Sequence, residues 1–333
     1  MAKHTLTDLL QMQSLPLEAK VRMTMVRIRG WINEYGRDGV YISFSGGKDS
    51  TVLMDIIRRQ MGEDIPAVFV DVPTQYPELR DFATSFDNVE VLRPKISFMQ
   101  VCEKYGFPLI SKEVALKMCR IKKNPDTSKY WRYFDGSQKG KSMYDCSKYR
   151  FLYDAPFDIG YQCCDELKKN PLKQYGKQTK RYGITAVMAE ESKVRTQKWM
   201  QNGCNAFNLQ RPISNPMSFW TEQDILRYIK QENIPICSVY GDIVIDYEAM
   251  GELEGQSFLF DTGIEPLKTT GCDRTGCMLC GFGVHCEKKS RFQALKETHP
   301  KMYNLLDVCK NNGVTFREAI EWTNEHGNLN IKL

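Results

Sequence analysis

The segment Gly39-Val-Tyr-Ile-Ser-Phe-Ser-Gly-Gly-Lys-Asp-Ser50 decides the fold. Its first half is β-branched and aromatic, which predicts a buried strand, and Gly46-Gly47 then ends that strand. The apolar residues of 52–57 fall on one face of a helix, so a helix is expected to follow the two glycines directly. A strand, a tight turn and a helix in this order indicate the start of an α/β domain.

Further elements extend this pattern on both sides. The stretch 5–35 has helical spacing, broken near Pro16, and buried strands are expected at 66–71, 89–92 and 183–188. Thr221 and Asp224 match a capping box, so a helix is expected to begin there. Alternating strands and helices predict a parallel α/β sheet. The predicted organisation is an N-terminal helical segment at 1–38, a sheet domain at 39–240 with an insertion near 112–181, and a C-terminal region at 241–333 with a cysteine cluster and two helices, at 290–310 and 315–326.

Charge and composition narrow the class of protein. The chain has 333 residues and a net charge of +5, but residues 112–181 alone carry 17 Lys or Arg against 8 Asp or Glu. This basic middle indicates an anionic partner. No stretch approaches the roughly 18 apolar residues of a membrane helix, the first residues lead into no apolar signal core, and no repeat recurs. A cytoplasmic protein without membrane contact is therefore expected.

The residues Ser45-Gly-Gly-Lys-Asp-Ser50 form a loop suited to anions. Two glycines permit a tight turn with amide groups close to a ligand, and the following helix adds free N–H donors and partial positive charge. Lys48 contributes a cation, and Ser45 and Ser50 contribute hydroxyls. The spacing is not that of a Walker loop, which requires glycine where Ile42 stands. The loop lies where open α/β sheets bind ligands, so it predicts a phosphate or pyrophosphate site.

This loop resembles the PP-loop of the ATP pyrophosphatases. Within that superfamily the chain resembles the phosphoadenosine phosphosulfate reductase group, and the similarity runs from about residue 39 to 240, more loosely to 300. The similar segments are Val70-Asp-Val-Pro-Thr-Gln-Tyr-Pro-Glu78, Glu190-Glu-Ser-Lys-Val-Arg195, Pro212-Ile-Ser214, Trp220-Thr-Glu-Gln-Asp-Ile225 and Asn233-Ile-Pro235. The resemblance implies a Rossmann-like parallel sheet and cleavage of ATP between its α- and β-phosphates, with release of pyrophosphate.

The resemblance also implies roles for single residues. The loop would hold pyrophosphate, Lys48 would neutralise charge on the leaving group, and Asp49 would orient the loop or hold Mg²⁺. Asp71, at the end of the second strand, would lie near the nucleotide or cap the next turn. Glu191, Ser192 and Arg195 would face the same crevice, where Arg195 suits a sulfate or phosphate oxygen. One departure is Met188, where the family often carries arginine.

Four of the twelve cysteines lie in one glycine-rich run. Their pattern is Cys272-x4-Cys277-x2-Cys280-x5-Cys286. The first three have a spacing that recurs in iron–sulfur proteins, and four thiolates also suit tetrahedral zinc. We expect a [4Fe–4S] cluster, with Zn²⁺ as the alternative. The Cys-x2-Cys-x5-Cys ending resembles the DndC-type proteins of DNA phosphorothioation, although the first gap is shorter here.

The sequence also contains a second possible set of four cysteine ligands. Cys163-Cys164 followed by Cys277-x2-Cys280 resembles the arrangement in adenylylsulfate reductases, with a longer gap of 112 residues. If the local set of Cys272, Cys277, Cys280 and Cys286 binds the metal, Cys163 and Cys164 have another role, such as a persulfide carrier, a substrate-site thiol or a packing residue.

The stretch 130–161 interleaves basic and aromatic side chains. Positive charge next to flat rings suits single-stranded or flipped nucleotides, so contact with DNA or RNA is one expectation and a core-covering insertion is the other. Downstream, residues 168–181 hold six basic residues and no acidic one. The ten aromatics are Tyr130, Trp131, Tyr133, Phe134, Tyr144, Tyr149, Phe151, Tyr153, Phe157 and Tyr161, and the basic residues among them include Lys139, Lys141, Lys148 and Arg150.

These patterns together predict an enzyme. The leading interpretation is ATP-dependent, AMP-forming activation of a substrate for sulfur transfer, with Mg²⁺ and an iron–sulfur cluster, nucleic acid as one acceptor and a sulfur-donor protein as a partner. One alternative is a phosphoadenosine phosphosulfate or adenylylsulfate reductase. Such an enzyme usually has a nucleophilic cysteine in its tail, whereas no cysteine follows Cys309 here. Another alternative is a non-enzymatic partner that binds nucleic acid.

Overall fold

The computed structural model describes residues 4–139, 145–254, 265–287 and 289–333. The chain forms two compact units. Unit 1 comprises Met1–Asp71, Tyr76–Leu92 and Leu172–Thr275, and unit 2 comprises Val72–Gln75, Arg93–Pro171 and Gly276–Leu333. The boundaries of these two units differ from those of the three predicted segments. The N-terminal helices group with the glycine loop, and most of the predicted insertion groups with the C-terminal residues.

The strands and helices are short and alternate along much of the chain. The strands are β1 (Val40–Phe44), β2 (Ala67–Val70), β3 (Val89–Leu92), β4 (Leu109–Ile110), β5 (Tyr182–Ile184), β6 (Asn205–Ala206), β7 (Ile213–Ser214), β8 (Ile243–Ile245), β9 (Leu267–Thr269), β10 (Gly281–Phe282), β11 (Lys310–Asn311) and β12 (Val314–Thr315). The helices are α1 (Leu6–Gln13), α2 (Leu17–Tyr35), α3 (Lys48–Asp55), α4 (Pro77–Thr84), α5 (Phe98–Tyr105), α6 (Lys112–Lys123), α7 (Asn170–Thr179), α8 (Lys193–Asn202), α9 (Glu222–Glu232), α10 (Tyr247–Glu254), α11 (Arg291–Thr298), α12 (Pro300–Tyr303), α13 (Leu305–Val308) and α14 (Phe316–Gly327).

Unit 1 is built on a sheet with strand order β3-β2-β1-β5-β7-β6. All neighbouring strands are parallel except the last pair, in which β6 runs antiparallel to β7. Strand β1 lies inside the sheet, with Ile42 opposite Ala67 on one side and Ile184 on the other. The predicted Rossmann-like α/β fold is therefore confirmed, and the glycine loop follows the carboxyl end of an inner strand.

Helix α2 is fastened to α9 by a buried ion pair. The Nζ atom of Lys20 lies 2.7 Å from Oδ2 of Asp224, and both side chains are almost inaccessible. The predicted capping box is present, since Asp224 also accepts from the Thr221 amide while the Thr221 hydroxyl accepts from the Asp224 amide. The indole of Trp220 donates to the hydroxyl of Thr24 on α2. The start of α9 is thus held against α2 by several buried polar contacts.

Unit 2 has an aromatic core and two small strand pairs. Strand β10 pairs with β4 in parallel, and β11 pairs with β12 as a hairpin. The rings of Phe107 and Phe316 stack with centroids 4.7 Å apart, and Phe157 packs edge-on against Trp322. Phe134, Tyr149 and Phe157 of the basic stretch are buried, so several of its aromatics serve a packed core.

Two sequence-based predictions fail in unit 2. No regular element was expected near 112, yet α6 covers Lys112–Lys123, because the buried Lys117 interrupts its apolar face and hides the helical period. The single helix expected at 290–310 is three short helices, since Pro300 begins α12 after a break at His299. Helix α14 lies where the second C-terminal helix was predicted.

Candidate functional site

The glycine loop connects β1 to α3 in unit 1. Gly46 has a φ of +72°, and a Cβ atom there would lie 2.9 Å from the carbonyl oxygen of Leu79. Both the backbone conformation and this close approach require glycine. Helix α3 begins at Lys48, and the first intrahelical acceptor is the carbonyl of Gly47, bound by the amide of Thr51. The loop therefore has the expected turn, and it leads directly into the N-terminus of α3.

The loop serines hold the turn in place. The hydroxyls of Ser45 and Ser50 are 3.0 Å apart, and that of Ser50 donates to the carbonyl of Gly47 at 2.9 Å. The amide of Gly47 donates to the Ser45 hydroxyl at 3.3 Å. These bonds stay within the loop, so both hydroxyls stabilise the shape of the turn.

Lys48 is buried and has partners that the sequence did not predict. Its Nζ atom lies 3.0 Å from Oε1 of Glu222 and also donates to the carbonyl of Asp273. Its backbone amide donates to the hydroxyl of Tyr240 at 3.2 Å, and Nζ lies 5.2 Å from the centre of that ring. The cation of the loop is therefore held by residues more than 170 positions along the chain.

Glu222 reaches Lys48 because it is the first residue of α9. The capping box and the Lys20–Asp224 ion pair fix the beginning of this helix. The amide of Glu222 donates to the carboxylate of Glu190, which places a second acidic side chain beside the first. Burial raises the pKa of Glu190, the hydrogen bond from the Glu222 amide opposes this rise, and the charge of the Glu222 carboxylate adds to it. The capping box was a readable signal for the helix start, but it gave no indication that Glu222 would meet the loop.

Asp49 carries an unsatisfied carboxylate oxygen. Its Oδ1 atom is buried and has no hydrogen-bond partner within the part of the chain that the structure describes. Burial raises the pKa of Asp49, while the nearby cations Lys48, Arg274 and Arg195 oppose the rise. An oxygen of this kind is suited to a cation or a hydrogen-bond donor brought by a ligand.

Arg195 lies at the same site, on the first turn of α8. It forms an ion pair with Glu191, and its amide donates to the hydroxyl of Ser192 at 3.3 Å. Burial and the neighbouring Arg274 lower the pKa of Arg195, whereas Asp49 raises it. Arg195 and Asp49 thus lie within electrostatic range of each other, and Ser192 is the N-cap of α8.

Asp71 and Met188 make contacts that stabilise the fold of unit 1. Asp71 follows β2, its amide donates to the carbonyl of Leu92 at 2.8 Å, and its carboxylate lies 3.5 Å from Nε of Arg80. Met188 is buried in the main core of unit 1. Asp71 is therefore at the expected edge of the sheet, and the position of Met188 adds no charge to the site.

The predicted local cysteine set is divided between the units. Cys272 belongs to unit 1, where its thiol lies 3.5 Å from the hydroxyl of Tyr76. Cys277, Cys280 and Cys286 belong to unit 2, and Cys286 is exposed. Two glycines of the run have packing roles, since a Cβ at Gly271 would lie 2.4 Å from the Val239 carbonyl and one at Gly281 would lie 2.6 Å from the Pro108 carbonyl.

Unit 2 brings the distant cysteine set into electrostatic contact. Burial raises the pKa of the Cys163 thiol, and Cys277, Cys164 and Cys280 raise it further. Burial also raises the pKa of Cys280 to about 11, with Cys277 and Cys164 contributing. Over the described ranges, no group of three or more His, Cys, Asp or Glu is arranged to hold a metal ion. The local and distant ligand sets both stay predictions.

The basic aromatic stretch of unit 2 pairs many of its charges with its own rings. The guanidinium of Arg150 lies 4.5 Å from the Trp131 ring and 4.8 Å from that of Tyr153. Lys117 lies 3.9 Å from the ring of Tyr133 and pairs with Glu113. Such cation–π contacts stabilise the fold of the stretch. Lys141 and Tyr144 lie outside the described residues.

The match to known families agrees with this geometry. Residues 39–281, more than half of the chain, match the model of the phosphoadenosine phosphosulfate reductase domain. The chain belongs to this family, whose members are enzymes that act on nucleotide sulfur substrates. No match was found among proteins of curated function. The resemblance predicted from the glycine loop is confirmed, whereas the likeness to DndC-type proteins is not. The helices of the described residues include none with the length and apolar character needed to cross a membrane.

Proposed function

We propose that this protein activates a substrate with ATP, forming AMP and pyrophosphate, as a step of sulfur transfer. The observation that carries the proposal is the grouping of Lys48, Arg195 and Arg274 around Asp49, at the N-terminus of α3 and the carboxyl edge of β1. A helix N-terminus and three cations at one sheet edge suit the charge of a triphosphate.

The chemistry assigned to the loop is a displacement at the α-phosphorus. An acceptor oxygen forms a bond to this atom, and the bond to the bridging oxygen of the β-phosphate breaks, so that pyrophosphate leaves with the electron pair. Lys48 exchanges Glu222 and the Asp273 carbonyl for the leaving oxygens, where the developing charge is largest. The unpartnered Oδ1 of Asp49 fits an oxygen ligand of Mg²⁺, which shields phosphate charge when it is bound.

The test is turnover of ATP by the Lys48→Ala variant. Pyrophosphate and AMP released from ATP, with water as the basal acceptor, should fall by about a hundredfold or more. Lys230→Ala, on the exposed face of α9, is the matched control and should keep the wild-type rate. Unchanged release of pyrophosphate in Lys48→Ala, or ADP as the wild-type product, would exclude the proposed activity.

The cysteines support a sulfur-related role. Four thiols suit a [4Fe–4S] cluster or tetrahedral Zn²⁺, and a cluster would supply electrons or a site for sulfur. The mutual effects of Cys163, Cys164, Cys277 and Cys280 on their pKa values support these four as ligands, and the local set Cys272, Cys277, Cys280 and Cys286 is the other candidate. The visible spectrum of anaerobically purified protein distinguishes the two metals, because a broad band near ~400 nm indicates iron–sulfur and zinc is colourless. A sulfur-donor protein is the partner that this role requires.

The second candidate is a sulfonucleotide reductase, and the same four cysteines favour it. In that reaction a dithiol gives two electrons to the sulfate group of the nucleotide and becomes a disulfide. The bond between sulfur and the phosphate oxygen breaks, sulfite is released, and the nucleotide keeps its 5′-phosphate. The assay supplies adenylyl sulfate or its 3′-phosphate with dithiothreitol as the electron donor. Sulfite released without any turnover of ATP would favour the reductase, and turnover of ATP without sulfite would favour activation.

A further inference from the structure

Residues 273–275 of unit 1 are anchored on the glycine loop at both ends. The carbonyl of Asp273 accepts from Nζ of Lys48, and the hydroxyl of Thr275 lies 2.8 Å from that of Tyr240. The hydroxyl of Tyr240 in turn accepts from the Lys48 amide. Arg274 lies between these two hydrogen-bonded residues, so its backbone is held beside the glycine loop.

The backbone of residues 271–272, directly before this segment, is also held by hydrogen bonds. The amide of Gly271 donates to the carbonyl of Tyr240, and that of Cys272 donates to the carbonyl of Val239, both at 2.9 Å. A side chain at Gly271 would collide with this backbone, which explains the glycine. The position of Arg274 thus depends on a rigid run of chain.

Arg274 differs from the other two cations of the site in having no hydrogen-bonded or ion-paired side chain among the residues that the structure describes. Lys48 is paired with Glu222, and Arg195 is paired with Glu191. Arg274 is exposed, and across the described residues it forms no ion pair within 4.0 Å and no side-chain hydrogen bond. Its charge acts on Asp49, Glu190 and Arg195 at longer range.

Two like charges at one site favour an anion between them. The guanidinium groups of Arg195 and Arg274 repel each other, and Oδ1 of Asp49 forms no hydrogen bond to either of them. A guanidinium presents paired donors that match the oxygens of phosphate or sulfate. The unpartnered Oδ1 of Asp49 independently indicates that a ligand enters here.

We propose that Arg274, together with Arg195, binds the terminal oxyanion of the nucleotide substrate, whether phosphate or sulfate. This inference rests on the proposed function, because it needs a nucleotide with its phosphates at the glycine loop. Arg274 is the cation that is free to receive the ligand first. It selects nucleotides that carry an anion beyond the α-phosphate.

The experiment compares Arg274→Gln, Arg274→Lys and the control Arg29→Gln, an exposed arginine on α2. Calorimetry gives the affinity of each for ATP, adenosine 5′-phosphosulfate and adenosine. Arg274→Gln should lose about tenfold or more in affinity for the anionic ligands, as expected for one charged hydrogen-bonding group. Its affinity for adenosine should not change, Arg274→Lys should lose less, and Arg29→Gln should match wild type.

The outcomes separate the two proposals. A loss confined to ATP assigns the oxyanion as phosphate, and a loss confined to the phosphosulfate assigns it as sulfate. Equal affinities in Arg274→Gln and wild type, or an equal loss for adenosine, overturn the role of Arg274 and leave the proposed function intact. A wild-type protein that binds none of the three ligands overturns both.

Discussion

The glycine loop of unit 1 and the cysteines of unit 2 are assembled in different ways. The loop is one run of six residues from the end of β1 into the first turn of α3, and its serines and glycines shape it through contacts within the run. The thiols that affect one another in unit 2 come from 163–164 and 277–280, more than a hundred residues apart. A site made from one short segment can be predicted from its residues, whereas a site made from distant segments depends on the fold.

The two regions also differ in charge balance. At the loop, each of Lys48 and Arg195 has a carboxylate beside it. In unit 2, the thiols of Cys163 and Cys280 have raised pKa values because burial and their neighbours disfavour thiolates. Cations already face anions at the loop, whereas near the cysteines burial and the neighbouring thiols outweigh the cations Lys168 and Arg291. A bound metal cation would therefore change unit 2 more than a nucleotide changes the loop.

Replacing single cysteines should give the largest effect and tests this contrast directly. We expect Cys163→Ser and Cys164→Ser to lose bound iron or zinc, since their thiols lie within electrostatic range of Cys277 and Cys280. Cys286→Ser and Cys272→Ser should keep the metal, as should Cys204→Ser, a buried control in unit 1. The measurement is metal content with the visible spectrum. Loss of metal in Cys272→Ser or Cys286→Ser but not in Cys163→Ser would restore the local set predicted from spacing.

Removing the charge of Lys20 should give the next largest effect and tests how far the loop depends on distant residues. Lys20→Met leaves Asp224 buried without its cation and should lower the free energy of unfolding by about 3–5 kcal/mol. Lys230→Met, on the exposed face of α9, should change it by less than about 0.5 kcal/mol. Denaturant unfolding measures both. Equal stabilities would mean that the ion pair does not hold the start of α9.

Replacing exposed lysines should have a moderate effect on the affinity for nucleic acid. This prediction extends the comparison to the basic middle of the chain. Lys173 and Lys177 are exposed on α7, unlike the ring-paired cations of unit 2. Each phosphate contact contributes roughly 0.7–0.9 to the slope of log affinity against log salt, so Lys173→Gln and Lys177→Gln should each reduce the slope by about this amount. Lys301→Gln is the exposed control. Absence of binding to single- or double-stranded DNA or RNA at low salt would favour a small-molecule acceptor.

Asp49→Asn should give the smallest effect, on the pH dependence of stability. The folded pKa of Asp49 is raised above its unfolded value, so the charged form costs stability. This cost appears as pH rises above the unfolded pKa of about 3.9 and is complete above the folded pKa. The variant should therefore have a higher Tm than wild type near pH 7, and the difference should vanish at low pH. A difference that grows as pH falls would contradict a raised pKa for Asp49.

The sequence by itself determined the elements whose signals are local. The apolar run before Gly46 and Gly47 predicted β1 and the turn, and the capping residues Thr221 and Asp224 predicted the start of α9. These features follow from backbone geometry and hydrogen bonds within a few residues, which the order of amino acids fixes. The family followed from the same loop, because the loop is contiguous.

Only the tertiary structure decided which distant side chains complete the sites. Glu222, Tyr240 and Asp273 meet Lys48 because the start of α9 and the run before Thr275 pack beside the loop. Cys163 likewise comes within electrostatic range of Cys277 only through the fold, across a gap that spacing rules do not cover. The charge of a side chain is visible in the sequence, but its partner depends on the packing of segments far apart along the chain. The helix that contains Lys117 was missed for a related reason, since only the folded chain shows a lysine buried on its apolar face.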